Sequence, residues 1–295
     1  MEELGFIGLG SMGAPMAARL LQAGHRLAVY ARRADATGPL VSAGGVVVAS
    51  LKEVAAQSDV VFTMVTDATA VEAVALGDDG LIDAVRPGSV VVDHSTISPA
   101  VSRRIASMFS ARGADMLDAP VSGGVAGARA GSLSIMVGGD ERAFERCRPL
   151  LAHLGKTITY IGSAGAGQVA KACNQICIIV NQLGVAEAAL VAERSGVDFE
   201  RLRGALMGGF AASRILEIQG PKMAARRFDG EIESRLHHKD ALIVLEIAKT
   251  LGVSLPASAL AAALLAKLQE AGGAKLDSAA VFTILERLSR RSDKI

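Results

Sequence analysis

Residues Leu4 to Gly24, LGFIGLGSMGAPMAARLLQAG, set an apolar run, three spaced glycines and an amphipathic run in a single stretch. Leu4–Ile7 reads as a buried strand and Ala14–Ala23 as a helix closed by Gly24. Between them stands G-x-G-x-x-G, with Gly8 for the tight turn, Gly10 for close approach to a pyrophosphate and Gly13 for helix–strand packing. Phosphates are held at the positive end of such a helix. Strand, turn and helix in this order point to dinucleotide binding by Gly8, Leu9, Gly10, Ser11, Met12 and Gly13. A glycine-rich turn without a ligand is the alternative.

The next strand, Arg26 to Tyr30, should end where an adenosine ribose is recognised. A carboxylate there would bind the 2′-hydroxyl of NAD, but Ala31-Arg32-Arg33 follows. Two guanidiniums can pair with a 2′-phosphate, which favours NADP(H), with NAD(H) as the other cofactor. A solvated basic turn would look the same.

Further strand patterns follow at Val46–Val48, Val60–Thr66, Ser89–Asp93, Ala114–Asp118 and Ser132–Val137. Amphipathic segments Leu51–Gln57, Ala100–Ala111 and Glu141–Leu154 lie between them, and Ser98-Pro99 is a helix start. This alternation predicts an α/β doubly wound parallel sheet with its ligands beyond the strand C-termini. Val65-Thr66-Asp67, His94-Ser95-Thr96 and Ala119 to Gly124 occupy those positions.

Beyond Gly162 strand signals fade. Helical patterns take over at Gly165–Gly196, Phe199–Met207, Arg214–Ala225, Leu236–Leu251, Pro256–Gly272 and Ser278–Ser289. The division is expected near Ser163, giving domains 1–163 and 164–295. The run Ala257 to Leu268 has few polar positions and should be buried on several sides, in the core or at an oligomer contact.

The balance of 31 basic and 30 acidic residues, with 3% aromatics, argues against a nucleic-acid partner. No run of 18 uncharged apolar residues appears, so no membrane span is expected. The acidic N-terminus leading directly into a strand does not read as a secretory signal. Three cysteines without disulfide-type spacing suggest a reduced, cytoplasmic compartment. Cys173 and Cys177 lie four apart without further ligands nearby, so small buried side chains are expected rather than a metal.

Three groups are placed to carry chemistry in a cleft between the domains. The turn Ser122-Gly123-Gly124 offers a hydroxyl and backbone N–H groups to a carboxylate, although glycine can serve turn geometry alone. Lys171, with Asn174 and Gln175 three and four residues on, stands on an otherwise apolar helix face. It either reaches solvent along its stem or serves function. Leu236-His237-His238-Lys239-Asp240 reads as a solvated helix opening, and its histidines as no metal site. A cationic lysine beside a carbonyl could stabilise the developing oxyanion, donate a proton and recover it in reverse.

Gly8 to Gly13, Asp118-Ala-Pro-Val-Ser-Gly-Gly124, Gly165-Ala-Gly-Gln-Val-Ala-Lys171-Ala-Cys-Asn174 and Lys239-Asp240 together resemble the signatures of the β-hydroxyacid dehydrogenases. The resemblance spans essentially the whole chain. It implies a Rossmann-type domain, a long interdomain helix and an all-α C-terminal domain, assembled as a homo-dimer or homo-tetramer. It also implies an NAD(P)-dependent oxidoreductase acting on a small aldehyde acid or hydroxyacid. By the same resemblance Lys171 is catalytic, and Ser122, Gly123, Gly124 and Asn174 bind substrate. Thr96, with Val65 and Thr66, contacts cofactor, and Lys239 lies near both. Gly127–Gly139 and Ala205–Leu216 resemble the branch that reduces a three-carbon semialdehyde, with Met207 to Ser213 lining the substrate pocket. The alternative is a 3-hydroxyisobutyrate or succinic-semialdehyde type. Glu231 departs from the apolar residue the resemblance implies after Gly230.

Overall fold

A computed structural model describes residues 2–33, 36–230 and 232–292. Glu231 therefore lies outside the described residues. By contacts the chain divides into two compact units, Met1–Lys171 and Ala172–Ile295.

The first unit is built on a sheet of nine strands among the described residues. They are β1 (Leu4–Ile7), β2 (Leu27–Tyr30), β3 (Val46–Val47), β4 (Val60–Thr63), β5 (Val90–Asp93), β6 (Asp115–Asp118), β7 (Val121–Ser122), β8 (Leu133–Gly138) and β9 (Gly155–Gly162). The order β3-β2-β1-β4-β5-β6 is parallel throughout. This is the expected doubly wound core. Each central strand alternates between two apolar clusters. Phe6, Val29, Phe62, Val92 and Leu117 face the cluster shared with helices α1 (Gly13–Gln22) and α7 (Glu141–Leu151). Ile7, Ala28, Val61, Val91 and Met116 face the one shared with α3 (Leu51–Gln57), α4 (Ala68–Leu76) and α5 (Pro99–Ser110). Helices on both faces explain why these strands read as continuous apolar runs.

The far edge departs from the expected parallel order. β8 runs antiparallel to β6 and β7 and parallel to β9. Sequence patterns also miss β7, β9, α2 (Gly38–Ser42), α4 and α6 (Gly124–Ala130). Their signals are weak for physical reasons. β7 has two residues, and only the first of β9's eight is buried.

Helix α8 (Ala166–Arg194) starts in the first unit and continues through the second, where it gives Ile179 and Leu183 to one core and Val185, Ala186 and Ala189 to another. Around it lie α9 (Phe199–Met207), α10 (Arg214–Ala225), α11 (Ser234–Leu251), α12 (Pro256–Glu270) and α13 (Val281–Ser292). Among the described residues α8 is the one helix long and apolar enough to cross a bilayer by composition, with an 18-residue window of mean hydropathy 1.6, 44% of it buried in the protein.

Two burial expectations are corrected. Cys173 and Cys177 are exposed, because the core-facing side of α8 is taken by residues such as Ile179 and Ala186. α12 buries a single face in the core of the chain, through Ala261, Ala262, Leu265 and Leu268, and leaves Ala259, Leu260 and Ala263 exposed, so burial on several sides within that core does not hold.

Candidate active site

The C-terminal ends of β2, β1, β4, β5 and β6 lie side by side, and the loops leaving them carry most of the candidate residues. Gly8 to Gly13 join β1 to α1. A Cβ at Gly8 would stand 2.2 Å from the Met64 carbonyl oxygen, and one at Gly13 only 1.9 Å from that of Gly8. Those glycines are required by the protein's own packing. Gly10 differs, since a Cβ there would meet nothing within 4 Å. The protein's own packing does not require glycine there, and a glycine leaves the backbone open to close approach by a pyrophosphate. No side chain caps α1, but the Ala14 N–H donates to the Gly10 carbonyl oxygen at 3.0 Å and Pro15 has no N–H, so an anion at this end would be met by the Gly13 N–H. Leu9 is buried, Ser11 exposed and Met12 half-buried. The turn thus fits a dinucleotide pyrophosphate.

Arg32 and Arg33 follow β2 and are exposed. Val65 and Thr66 follow β4, where the Val65 N–H donates to Ser95 Oγ at 3.0 Å and the Thr66 hydroxyl to Asp67 Oδ2 at 3.0 Å. Thr96 is half-buried beyond β5.

Beneath these loops the last residues of β5 and β6 are buried carboxylates. Asp93 Oδ1 accepts from the Thr63 and Ser95 hydroxyls at 2.7 and 2.6 Å, and burial pushes its pKa up to about 6. His94 stacks on Phe62, its Nδ1 lies 2.7 Å from the Ala119 carbonyl oxygen, and burial lowers its pKa to about 4. Asp118 accepts the backbone N–H groups of Gly165 at 2.7 Å and Gln168 at 2.8 Å, and burial raises it too, to about 6. That carboxylate caps the start of α8 and docks it on the end of β6.

One turn further, Lys171 is 8% exposed, and its Nζ donates to the Val121 carbonyl oxygen at 2.8 Å. This brings Lys171 to the chain segment that continues through Ser122, Gly123 and Gly124. Ser122 is half-buried in β7, while Gly123 and Gly124 take φ of +133° and +63°, a left-handed turn suited to glycine.

Asn174 lies three residues beyond Lys171 on α8, within the second unit. Its Nδ2 donates to Gln175 Oε1 at 2.8 Å, and Gln175 Nε2 donates to Asp240 Oδ2 at 2.5 Å. Asp240 in turn pairs with Lys239 at 3.2 Å. A polar chain from Asn174 to Lys239 therefore runs through Gln175 and Asp240, both buried. In the segment Met207 to Ser213, Phe210 is fully exposed, and Ser213 caps α10 while donating to Asn181 Oδ1. No group of three His, Cys, Asp or Glu side chains able to hold a metal occurs among the described residues.

Local pattern does not mark Asp93, and Asp118 and Gln168 enter only inside the resemblance motifs Asp118–Gly124 and Gly165–Asn174. The available signal is a carboxylate closing an otherwise apolar strand, as in Val90-Val-Val-Asp93 and Met116-Leu-Asp118.

The parallel sheet and its glycine turn define a dinucleotide-binding fold of Rossmann type. Residues 3–162 match the NAD-binding domain of 6-phosphogluconate dehydrogenase. Residues 165–285 match the NAD-binding domain of NADP-dependent 3-hydroxyisobutyrate dehydrogenase. The chain belongs to the β-hydroxyacid dehydrogenase family, the NAD(P)-dependent oxidoreductases related to 3-hydroxyisobutyrate dehydrogenase. It is 46% identical to the 2-hydroxy-3-oxopropionate reductase of Escherichia coli K12, over 97% of this chain and 98% of that one. It is 38% identical to the 3-hydroxyisobutyrate dehydrogenase of Pseudomonas aeruginosa, over 88% and 90%. The structure of Mycobacterium tuberculosis 3-hydroxyisobutyrate dehydrogenase with L-serine matches with a TM-score of 0.88 at 34% identity, over 97% and 99%.

Proposed function

We propose that this chain reduces tartronate semialdehyde (2-hydroxy-3-oxopropanoate) to D-glycerate with NADPH, with Lys171 as general acid. The observation that carries the chemistry is the buried Lys171 amine held 2.8 Å from the Val121 carbonyl oxygen, next to the Ser122–Gly124 turn. A bound reduced nicotinamide supplies the hydride for the aldehyde carbon. Ser122 and the N–H groups of Gly123 and Gly124 hold the substrate carboxylate, and Asn174 and Lys239 orient the rest. As the C=O π bond breaks, Lys171 passes a proton to the oxygen and leaves a hydroxyl group. In the reverse direction the amine takes that proton back.

Arg32 and Arg33 receive the 2′-phosphate of NADPH, and Val65, Thr66 and Thr96 contact the cofactor. The substrate choice is supported by the 46% identity to a 2-hydroxy-3-oxopropionate reductase. Exposed Leu242, Leu251, Val253 and Leu260 support a homo-dimer or homo-tetramer.

The identity to 3-hydroxyisobutyrate dehydrogenases supports a second substrate reading. Paired kcat/KM values on tartronate semialdehyde, methylmalonate semialdehyde and succinic semialdehyde decide between them. The first should be preferred by at least about tenfold, or about 1.4 kcal/mol of transition-state binding. Equal or reversed preference would overturn the substrate assignment.

A further inference from the structure

Gln168 is 1% exposed on the first turn of α8, three residues before Lys171. Its side chain makes two hydrogen bonds, both to backbone far away in sequence. The Ile97 N–H donates to Oε1 at 3.1 Å, and Nε2 donates to the Ser95 carbonyl oxygen at 2.7 Å. An N–H can only donate and a carbonyl only accept, so the partners fix the orientation of the amide. The two groups it engages flank Thr96 on either side.

The backbone of the same turn is docked as tightly. The Gln168 N–H is held by Asp118, and a Cβ at Gly167 would stand 2.4 Å from the carbonyl oxygens of Asp118 and Met136. The start of α8 is thus tied to β6 by its backbone and to the loop after β5 by the Gln168 side chain. An apolar residue could fill the same space. It would leave one buried N–H and one buried carbonyl without their partner, at the cost of two desolvated groups.

We propose that Gln168 is a positioning residue that clamps the Ser95–Ile97 loop, and with it Thr96, to the helical turn carrying Lys171. The inference rests on the assignment of Thr96 to the cofactor and Lys171 to proton transfer. It places cofactor contact and proton donor in one frame, so loss of the clamp affects dinucleotide affinity and turnover together.

The test uses Gln168→Met, which keeps the length and removes both bonds, and Gln168→Glu. A protonated glutamic acid can accept from Ile97 and donate to Ser95, whereas the carboxylate can only accept. Calorimetric Kd for NADP+, turnover and Tm are measured at about pH 9.5 and about pH 5.5, values on either side of the roughly 8–9 that a fully buried glutamate can reach, with Lys171→Met as control. Gln168→Met should weaken NADP+ binding about tenfold, as expected for a lost buried hydrogen bond, and lower kcat as well. Relative to wild type at the same pH, the Gln168→Glu defect at about pH 9.5 should shrink several-fold at about pH 5.5. Lys171→Met should lose turnover with its Kd nearly unchanged. A changed Tm with unchanged Kd and kcat in the Gln168 variants would show a packing role only and overturn the clamp. So would a Gln168→Glu defect that is equal at both pH values, a comparison that stands even if Gln168→Met fails to fold. Full turnover in Lys171→Met would instead overturn the assignment on which the clamp rests.

Discussion

The Lys171 amine donates to the carbonyl oxygen of Val121 at 2.8 Å, across 50 residues of chain. This bond brings a cationic side chain to a glycine turn that holds no charge of its own. It depends on Asp118, whose carboxylate caps the start of α8 and fixes the turn before Lys171. A lysine on an apolar helix face is thereby held inside the protein instead of extending into solvent.

The glycine loop separates into packing and binding positions. Gly13→Ala should lower stability by several kcal/mol, since its Cβ would stand 1.9 Å from the Gly8 carbonyl oxygen. Gly10→Ala should leave Tm within a degree or two of wild type and weaken dinucleotide binding at least about tenfold. Thermal melts and NADPH titrations of both variants check this. Unchanged affinity in Gly10→Ala would contradict a pyrophosphate at that turn.

Arg32→Ala should raise KM for NADPH by roughly tenfold, the loss of one charge-assisted contact at an exposed site, and leave KM for NADH nearly unchanged. Initial-rate measurements with both cofactors decide the matter. An NADPH preference that survives the substitution would return Arg32 to the role of a solvated turn.

Asp93 gives a pH prediction with a defined sign. Burial raises its pKa from an ordinary 3.8 to about 6, so between these values the native state keeps a proton that the unfolded chain has released. Stability from this group therefore falls as pH rises through that window and is constant above it. Asp93→Asn retains an oxygen acceptor for Thr63 and Ser95 and removes the titration. Wild type should lose stability relative to Asp93→Asn between about pH 4 and 6, on the order of 1–3 kcal/mol. Denaturant unfolding across the range measures the difference, and parallel curves would refute it.

Much of this architecture is legible from local pattern. β1, α9 and α10 have the same bounds in sequence and structure, because a buried apolar run marks the first and capping Asp198 and Ser213 open the helices. β7 and β9 escape because one is two residues long and the other lies largely exposed. The glycine loop stands out by spacing and Lys171 by its apolar neighbours, while the roles of Lys171 and of the Ser122–Gly124 turn come from the family resemblance. Asp118 and Gln168 do not stand out, since their partners lie about fifty and seventy residues away. A side chain whose purpose is a distant backbone group leaves no periodic trace in its own segment.

Lys171→Met gives the most direct measurement, as turnover of tartronate semialdehyde with saturating NADPH alongside the NADPH dissociation constant. We expect kcat to fall by about 10²–10⁴, the span of a lost general acid, while the dissociation constant changes less than about threefold. Turnover within a factor of about three of wild type would contradict proton donation by Lys171.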